Sequence, residues 1–548
     1  MQSVVAFLIC VIAATATFAA DRTGVTATID PTENGAVVRF KLDRAVRSFR
    51  LGYPWDNGIR DRTWKLATPD IMREGALITA RGGAEFDAFI VEVQAWNEAT
   101  DATYPCLFRV GAHGLAFYAA YFTGVDAEFE TTIEVSLARD RIVEGFPQGG
   151  SSWRVDSTFQ GDAAHRYVYI GKRGDVVETT SARLVLPPGP GQGLIDRIRD
   201  NIEHMMRFYR GKFARLPRTK PLILLAANPA TKEAAFQGDV TYGPAVALRV
   251  FGDHSKAFTQ KAALIDHYIA HETAHFWNSG TARAGGVAPA WLWEGSAELF
   301  ALHARVSVTG RLTPRGRRDH IEQALNACVG RLRTASLAGV RTDATYVCGE
   351  TLFWLAEAAE KARSKGRGDI FAVWRRILDK AETNGGVYTL DHVLSFAAPT
   401  EDIKRAFDLI LSEQGIERWA KLPALTKPLG IELTIGPPEE QSLRHDMIAH
   451  LLNLHCGKGP RGMSREADHL KLDTGDRCGP LSGDPEVDSL NGHSLYTNPA
   501  RAHAALEESC RTNASITLSR AGNPAVITVA CTKPFPPQPP TFRIIAGG

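Results

Sequence analysis

The segment His271-Glu272-Thr273-Ala274-His275 constrains this chain more than any other. It has the form H-E-x-x-H. The run from Ala263 to Trp277 around it contains neither Pro nor Gly and places Leu264, Ile265, Tyr268, Ile269 and Phe276 at roughly helical intervals. That pattern predicts a buried helix. Positions four apart share one helical face, so His271 and His275 can offer two imidazole nitrogens to a single ion. Glu272 sits beside them, where it can hold a water without taking a coordination position. A catalytic zinc takes three protein ligands and keeps one position open. Glu294, in Trp291-Leu292-Trp293-Glu294-Gly295 and eighteen residues beyond His275, is the candidate third ligand. Glu298 lies one helical turn after it, placed either to brace a ligand histidine through the second ring nitrogen or simply to pair at the surface. His267, one turn before His271, reads as a packing or polar-cluster histidine.

The HETAH segment, the eighteen intervening residues and the WLWEG segment resemble the gluzincin metallopeptidases, and within them the M1 aminopeptidases and M61 glycyl aminopeptidases. Tyr346-Val347-Cys348-Gly349 is similar to the Y-x-K-G segment that carries the M1 catalytic tyrosine, with Cys348 in place of the lysine. The resemblance implies one Zn²⁺ per chain, held by His271, His275 and Glu294. It makes Glu272 the base that activates water and Tyr346 a hydrogen-bond donor to the developing oxyanion. A peptide or protein would be the substrate. The metzincin pattern fails, because it requires glycine where the chain has Asn278 and histidine where it has Thr281.

One M1 feature is missing. Those enzymes carry G-x-M-E-N upstream of the motif, and its Glu grips the free α-amine of the substrate. The equivalent window here is Gly243-Pro244-Ala245-Val246-Ala247, with Val246 near the carboxylate position. Aminopeptidase specificity therefore does not carry over, unless another acid such as Glu298 or Asp239 serves. Two other readings stay open. One is a catalytically inactive binding protein that keeps the fold and the zinc, against which the intact Glu272 argues. The other is a zinc hydrolase of non-peptide substrates.

The remainder of the chain sets the frame. At 548 residues it is too long for one core, so about three domains are expected. A net charge of +2 gives no reason to expect nucleic acid or an anionic membrane as partner. Residues 4–20, VVAFLICVIAATATFAA, read as a secretory signal cleaved near Ala19 or Ala20, although Met1-Gln2-Ser3 supplies no positive charge. An exported protein, periplasmic or secreted, is expected. Seven cysteines follow the signal without a C-x-x-C pair. In an oxidising compartment they offer the pairings Cys328–Cys348, Cys456–Cys478 and Cys510–Cys531, with Cys106 left over.

The expected fold is multidomain α+β. Alternating, turn-punctuated strands between Asp21 and Leu186 predict an N-terminal β-sandwich. Pro187-Pro188-Gly189-Pro190-Gly191 marks a boundary. A thermolysin-like gluzincin catalytic domain over residues 191–428 would combine a small mixed sheet with a helical half. Its segment Ala245–Phe251 is expected to be the sheet edge to which substrate backbone pairs. After residue 429, Asp484-Pro485-Glu486-Val487-Asp488-Ser489-Leu490-Asn491-Gly492-His493 resembles the G-D-x-I-x-x-I-N-G turn of PDZ domains. A PDZ-like β-rich domain is expected over 429–548.

Overall fold

The computed structural model describes residues 22–547 except 54–57, 97, 99–103, 127, 146–149, 156–163, 188–191, 229, 232–234, 242–244, 253, 286–287, 311, 341–343, 439, 457–461, 477 and 521. The expected signal segment, 1–20, lies outside the described residues, as does most of the Pro/Gly boundary run. Among the described residues no helix is long and apolar enough to cross a membrane. The chain forms two compact units, residues 1–317 with 368–397 and residues 318–367 with 398–548. Both mix helices with sheets.

The first unit begins with strands whose apolar residues recur at every second position. Val25, Ala27 and Ile29 of Thr23–Pro31 turn inward, and so do Val38, Phe40 and Leu42 of Gly35–Val46. Period-two alternation places such residues on one face of a sheet. The six-stranded sheet runs Ser152–Val155, Phe129–Val135, Thr23–Pro31, Gly35–Val46, Phe86–Gln94 and Trp64–Leu66 in spatial order. A four-stranded sheet, Arg141–Glu144, Tyr167–Lys172, Gly114–Tyr118 and Leu107–Val110, shares one apolar core with it. Phe40, Phe49, Phe89 and Phe129 interlock there, with ring centroids 4.5–6.0 Å apart.

A third sheet packs on the helix that carries the H-E-x-x-H segment. Its spatial order is Val176–Glu178, Arg183–Val185, Leu222–Asn228, Ala245–Phe251 and Ala235–Thr241. Ala245–Phe251 is therefore an inner strand, parallel to Leu222–Asn228 on one side and antiparallel to Ala235–Thr241 on the other. This corrects the expectation that it forms the edge. All seven of its residues are buried, and apart from Arg249 the run is apolar, as a strand covered on both faces needs. The edge is Ala235–Thr241, whose Gly238 and Asp239 hide it from a propensity reading.

Helices pack on this sheet. One amphipathic helix is Gln192–Phe213, with Ile198, Ile202, Met205, Met206, Tyr209 and Phe213 buried. It braces His254–Asn278, the motif helix. Tyr209 donates to the carbonyl of Ala270 at 2.7 Å, and the rings of Phe213 and Trp277 stack at 5.7 Å.

In the second unit, helices Pro499–Arg511 and Glu440–His455 share one core with short strands. Ser489–Leu490 and His493–Ser494 form a hairpin whose two turn residues, Asn491 and Gly492, have φ of 48° and 77°. Two positive φ values are what a tight hairpin turn demands, and Asn-Gly supplies them with the least strain. The disulfides Cys328–Cys348, Cys456–Cys478 and Cys510–Cys531 form as the spacing suggested, and Cys106 is a buried thiol. The Cys456–Cys478 bridge closes a loop with a separation of 22 residues. Replacing both cysteines by serine should lower stability in urea titrations by about 3 kcal/mol through restored freedom of the unfolded chain. A loss below about 1 kcal/mol would show that the bridge does not act in this way.

Candidate metal centre

The motif helix presents His271 and His275 one turn apart, with ring centroids 4.8 Å from each other and both residues buried. Glu294 sits in the first turn of the next helix, Trp291–Ala304, where the positive end of the helix dipole favours a carboxylate. Three atoms converge. His271 Nε2 lies 3.2 Å from His275 Nε2 and 3.2 Å from Glu294 Oε2, and His275 Nε2 lies 3.4 Å from that same oxygen.

This triangle tests whether the residues suit a metal. Ligand atoms at about 2.0–2.1 Å from a tetrahedral zinc are separated by about 3.3–3.4 Å, the edge of that tetrahedron. The observed separations match. The donor set of two imidazoles and one carboxylate is also that of catalytic zinc sites with an open fourth position. The three residues fit the ion.

Charge in the centre is strongly coupled. Burial opposes ionisation of Glu294, yet His275 and His271 outweigh it and hold the carboxyl well below the usual carboxylate range. For His271 burial disfavours the cation, but Glu298 and Glu294 overcome it and raise the imidazole well above its ordinary value. Glu272 behaves differently. Burial pushes its carboxyl up to about 7, with His271 and His275 acting in the opposite direction. The Glu272 side chain lies against Gly238 of the edge strand. A Cβ at that position would meet Glu272 Cγ at 3.2 Å and Oε1 at 3.4 Å, so glycine leaves the carboxylate its room.

The outward-facing nitrogens of the histidines also have neighbours. Glu298 Oε1 lies 3.1 Å from His271 Nδ1, and Glu298 Oε2 lies 3.1 Å from His267 Nε2. The glutamate thus spans two histidines of the motif helix, and His267 belongs to a polar cluster around it. His275 Nδ1 lies 3.1 Å from Asn278 Oδ1. Sequence reasoning missed Asn278. Its signal was a polar residue three positions after a ligand histidine, on the same helical face.

Beside His275 and Glu294 opens a cavity of about 80 Å³ walled by Tyr104, Val240, Thr241, Trp293 and Tyr388. Among the described residues that line it, Glu294 is the only carboxylate. Val246 does not reach it, being buried on the inner strand between Ile223 and Val240. The two other acids considered for an amine are engaged elsewhere. Asp239 pairs with Arg249 at 2.6 Å, each 4% exposed, and Glu298 faces the two histidines. Tyr346 lies in the first turn of helix Ala344–Arg363, in the second compact unit, and is 39% exposed.

No protein-family model matches the chain, and no curated protein matches it. Solved structures do. Yeast LTA4 hydrolase in complex with Bestatin is 12% identical, with a TM-score of 0.39 over 78% of this chain and 72% of that one. The aminopeptidase N family protein from Idiomarina loihiensis is 11% identical, with a TM-score of 0.54. The match covers 95% of this chain and 98% of that one, so the chain has the fold of an aminopeptidase N family protein along nearly its whole length.

Proposed function

We propose that the chain is an exported zinc metallopeptidase of the M1/M61 type that hydrolyses peptide bonds. The observation that carries this reading is the triangle of His271 Nε2, His275 Nε2 and Glu294 Oε2 with buried Glu272 beside it. His271, His275 and Glu294 would hold the ion. When bound, zinc lowers the pKa of a water towards neutrality and polarises a carbonyl oxygen. Glu272 takes the proton of the attacking water and hands it to the leaving amine. The edge strand Ala235–Thr241 offers backbone groups to an extended peptide, which fixes the chain direction without reading side chains. Tyr346 donates a hydrogen bond to the carbonyl oxygen as charge develops on it, a contact worth roughly a hundred- to a thousandfold in rate.

The domain assignment belongs to the same reading. It comprises a signal peptide over 1–20, a β-sandwich over 21–186, the peptidase domain over 191–428 and a PDZ-like domain over 429–548. The Asn491-Gly492 hairpin, helix Pro499–Arg511 and strands Ser515–Arg520 and Asn523–Ala530 support the last of these.

The purified mature chain should carry about one zinc. His271→Ala, His275→Ala and Glu294→Ala should each lose it, by more than the roughly ten- to hundredfold that changes around a ligand cost. Metal analysis of the four proteins decides, and full retention by Glu294→Ala sinks the three-ligand assignment.

Glu272→Gln should keep the metal and lose nearly all hydrolysis, since an amide cannot accept the proton. Tyr346→Phe should keep fold and metal and lose mainly kcat. A digest of a broad peptide library checks both. A parent that holds zinc and cleaves nothing would instead be a binding protein.

With no carboxylate besides Glu294 among the described residues that line the cavity, the site should not reward a free N-terminus. An α-ammonium gripped by a buried carboxylate gains roughly 1.5–3 kcal/mol. That corresponds to about ten- to a hundredfold in kcat/KM. Acetylated and free-amine forms of one peptide should therefore be cleaved within about threefold of each other. A preference above about thirtyfold for the free amine would restore the aminopeptidase reading.

A further inference from the structure

We infer that Asn278 is a positioning residue of the metal centre: it fixes the tautomer of His275 and ties the helix bearing Glu294 to the helix bearing the histidines. The inference rests on the zinc reading above and deepens it.

Asn278 ends the motif helix and is fully buried. One end of its side-chain amide lies 2.7 Å from the backbone oxygen of Trp293 and 2.8 Å from Ser296 Oγ. A backbone carbonyl only accepts, so the atom facing it is the NH₂. Ser296 Oγ donates to the carbonyl of Leu292 at 2.7 Å, which leaves it an acceptor towards Asn278. Both amide hydrogens are then used. The opposite atom, Oδ1, faces His275 Nδ1 at 3.1 Å.

An amide oxygen cannot donate, so the proton in that contact belongs to His275 Nδ1. The imidazole is left with its lone pair on Nε2, the atom that faces His271 and Glu294. The orientation is anchored from the other side as well, because the hydroxyl of Tyr388 donates to the Asn278 backbone oxygen at 2.8 Å. Trp293 immediately precedes Glu294. The amide therefore acts on the turn that carries the third ligand while holding the second ligand in its binding form. Partners that fix a metal-binding imidazole in this way typically govern ten- to a hundredfold in metal affinity.

A residue needed only for packing would change stability and leave the ion's affinity alone. The test uses the full chain as wild type, Asn278→Asp, Asn278→Leu and Ser296→Ala. The zinc dissociation constant is read by chelator competition, and the thermal midpoint is read on the metal-stripped proteins. Asp keeps an acceptor for His275 and loses the amide donors, whereas Leu keeps neither. Asn278→Leu should weaken zinc binding about ten- to a hundredfold, with Asn278→Asp and Ser296→Ala within about fivefold of wild type. The metal-free midpoint should fall in all three. Wild-type zinc affinity in Asn278→Leu overturns the inference. Should Asn278→Leu fail to fold, Asn278→Ala, which also lacks the acceptor for His275, decides in its place, and wild-type zinc affinity there overturns the inference. A wild type that binds no zinc would remove the zinc reading and this inference together. A wild type that binds zinc no better than Asn278→Leu removes the inference alone.

Discussion

Two imidazole nitrogens and a carboxylate oxygen point at one another inside this protein, 3.2–3.4 Å apart. Taking such groups out of water costs several kcal/mol per ion unless partners replace the solvent. The surrounding structure supplies those partners one by one. Glu298 meets the far nitrogen of His271, Asn278 meets the far nitrogen of His275, and His267 meets the second oxygen of Glu298. Polar residues two helical turns apart are thereby joined into one network. The aromatic side chains of Tyr209 and Phe213 pack against Trp277 of the motif helix and hold it from behind.

The sheet contributes through a single strand. Side chains alternate along Ala235–Thr241, so Gly238 turns towards Glu272 and Asp239 turns to the opposite face. On that opposite face Asp239 meets Arg249, whose guanidinium lies 5.9 Å from the ring of Phe108 in the four-stranded sheet. One strand thus borders Glu272 on one side and a buried ion pair on the other. Removing one partner of such a pair typically costs about 3–5 kcal/mol, because the other charge is left uncompensated.

The sequence makes the centre readable because helical geometry is short-ranged. His271, His275 and Glu298 declare themselves by spacings of four, and Glu294 by the tryptophan-rich segment around it. The disulfides are readable for a similar reason, with partners 20 to 22 residues apart. Strand order is set by long-range pairing, and the apolar run Ala245–Phe251 looks the same at an edge as inside a sheet. The true edge is camouflaged by Gly238 and Asp239. Asn278 was obscured because asparagine near a helix end reads as an ordinary terminator of the helix. Only the positions of Trp293 and Ser296 reveal what its amide does.

The closeness of these residues along the chain bears on how the centre forms. Every group of the network lies between His267 and Glu298, and the loop separating His275 from Glu294 is eighteen residues. The length-dependent entropy of closing such a loop is only about 2.5 kcal/mol. By contrast, the six-stranded sheet pairs Thr23–Pro31 with Phe129–Val135 across a hundred residues of intervening chain. In contact-order terms the converging residues are local and the six-stranded sheet is not. Pairing of the two helices is thus a local step, whereas pairing of Thr23–Pro31 with Phe129–Val135 is a slow, non-local one.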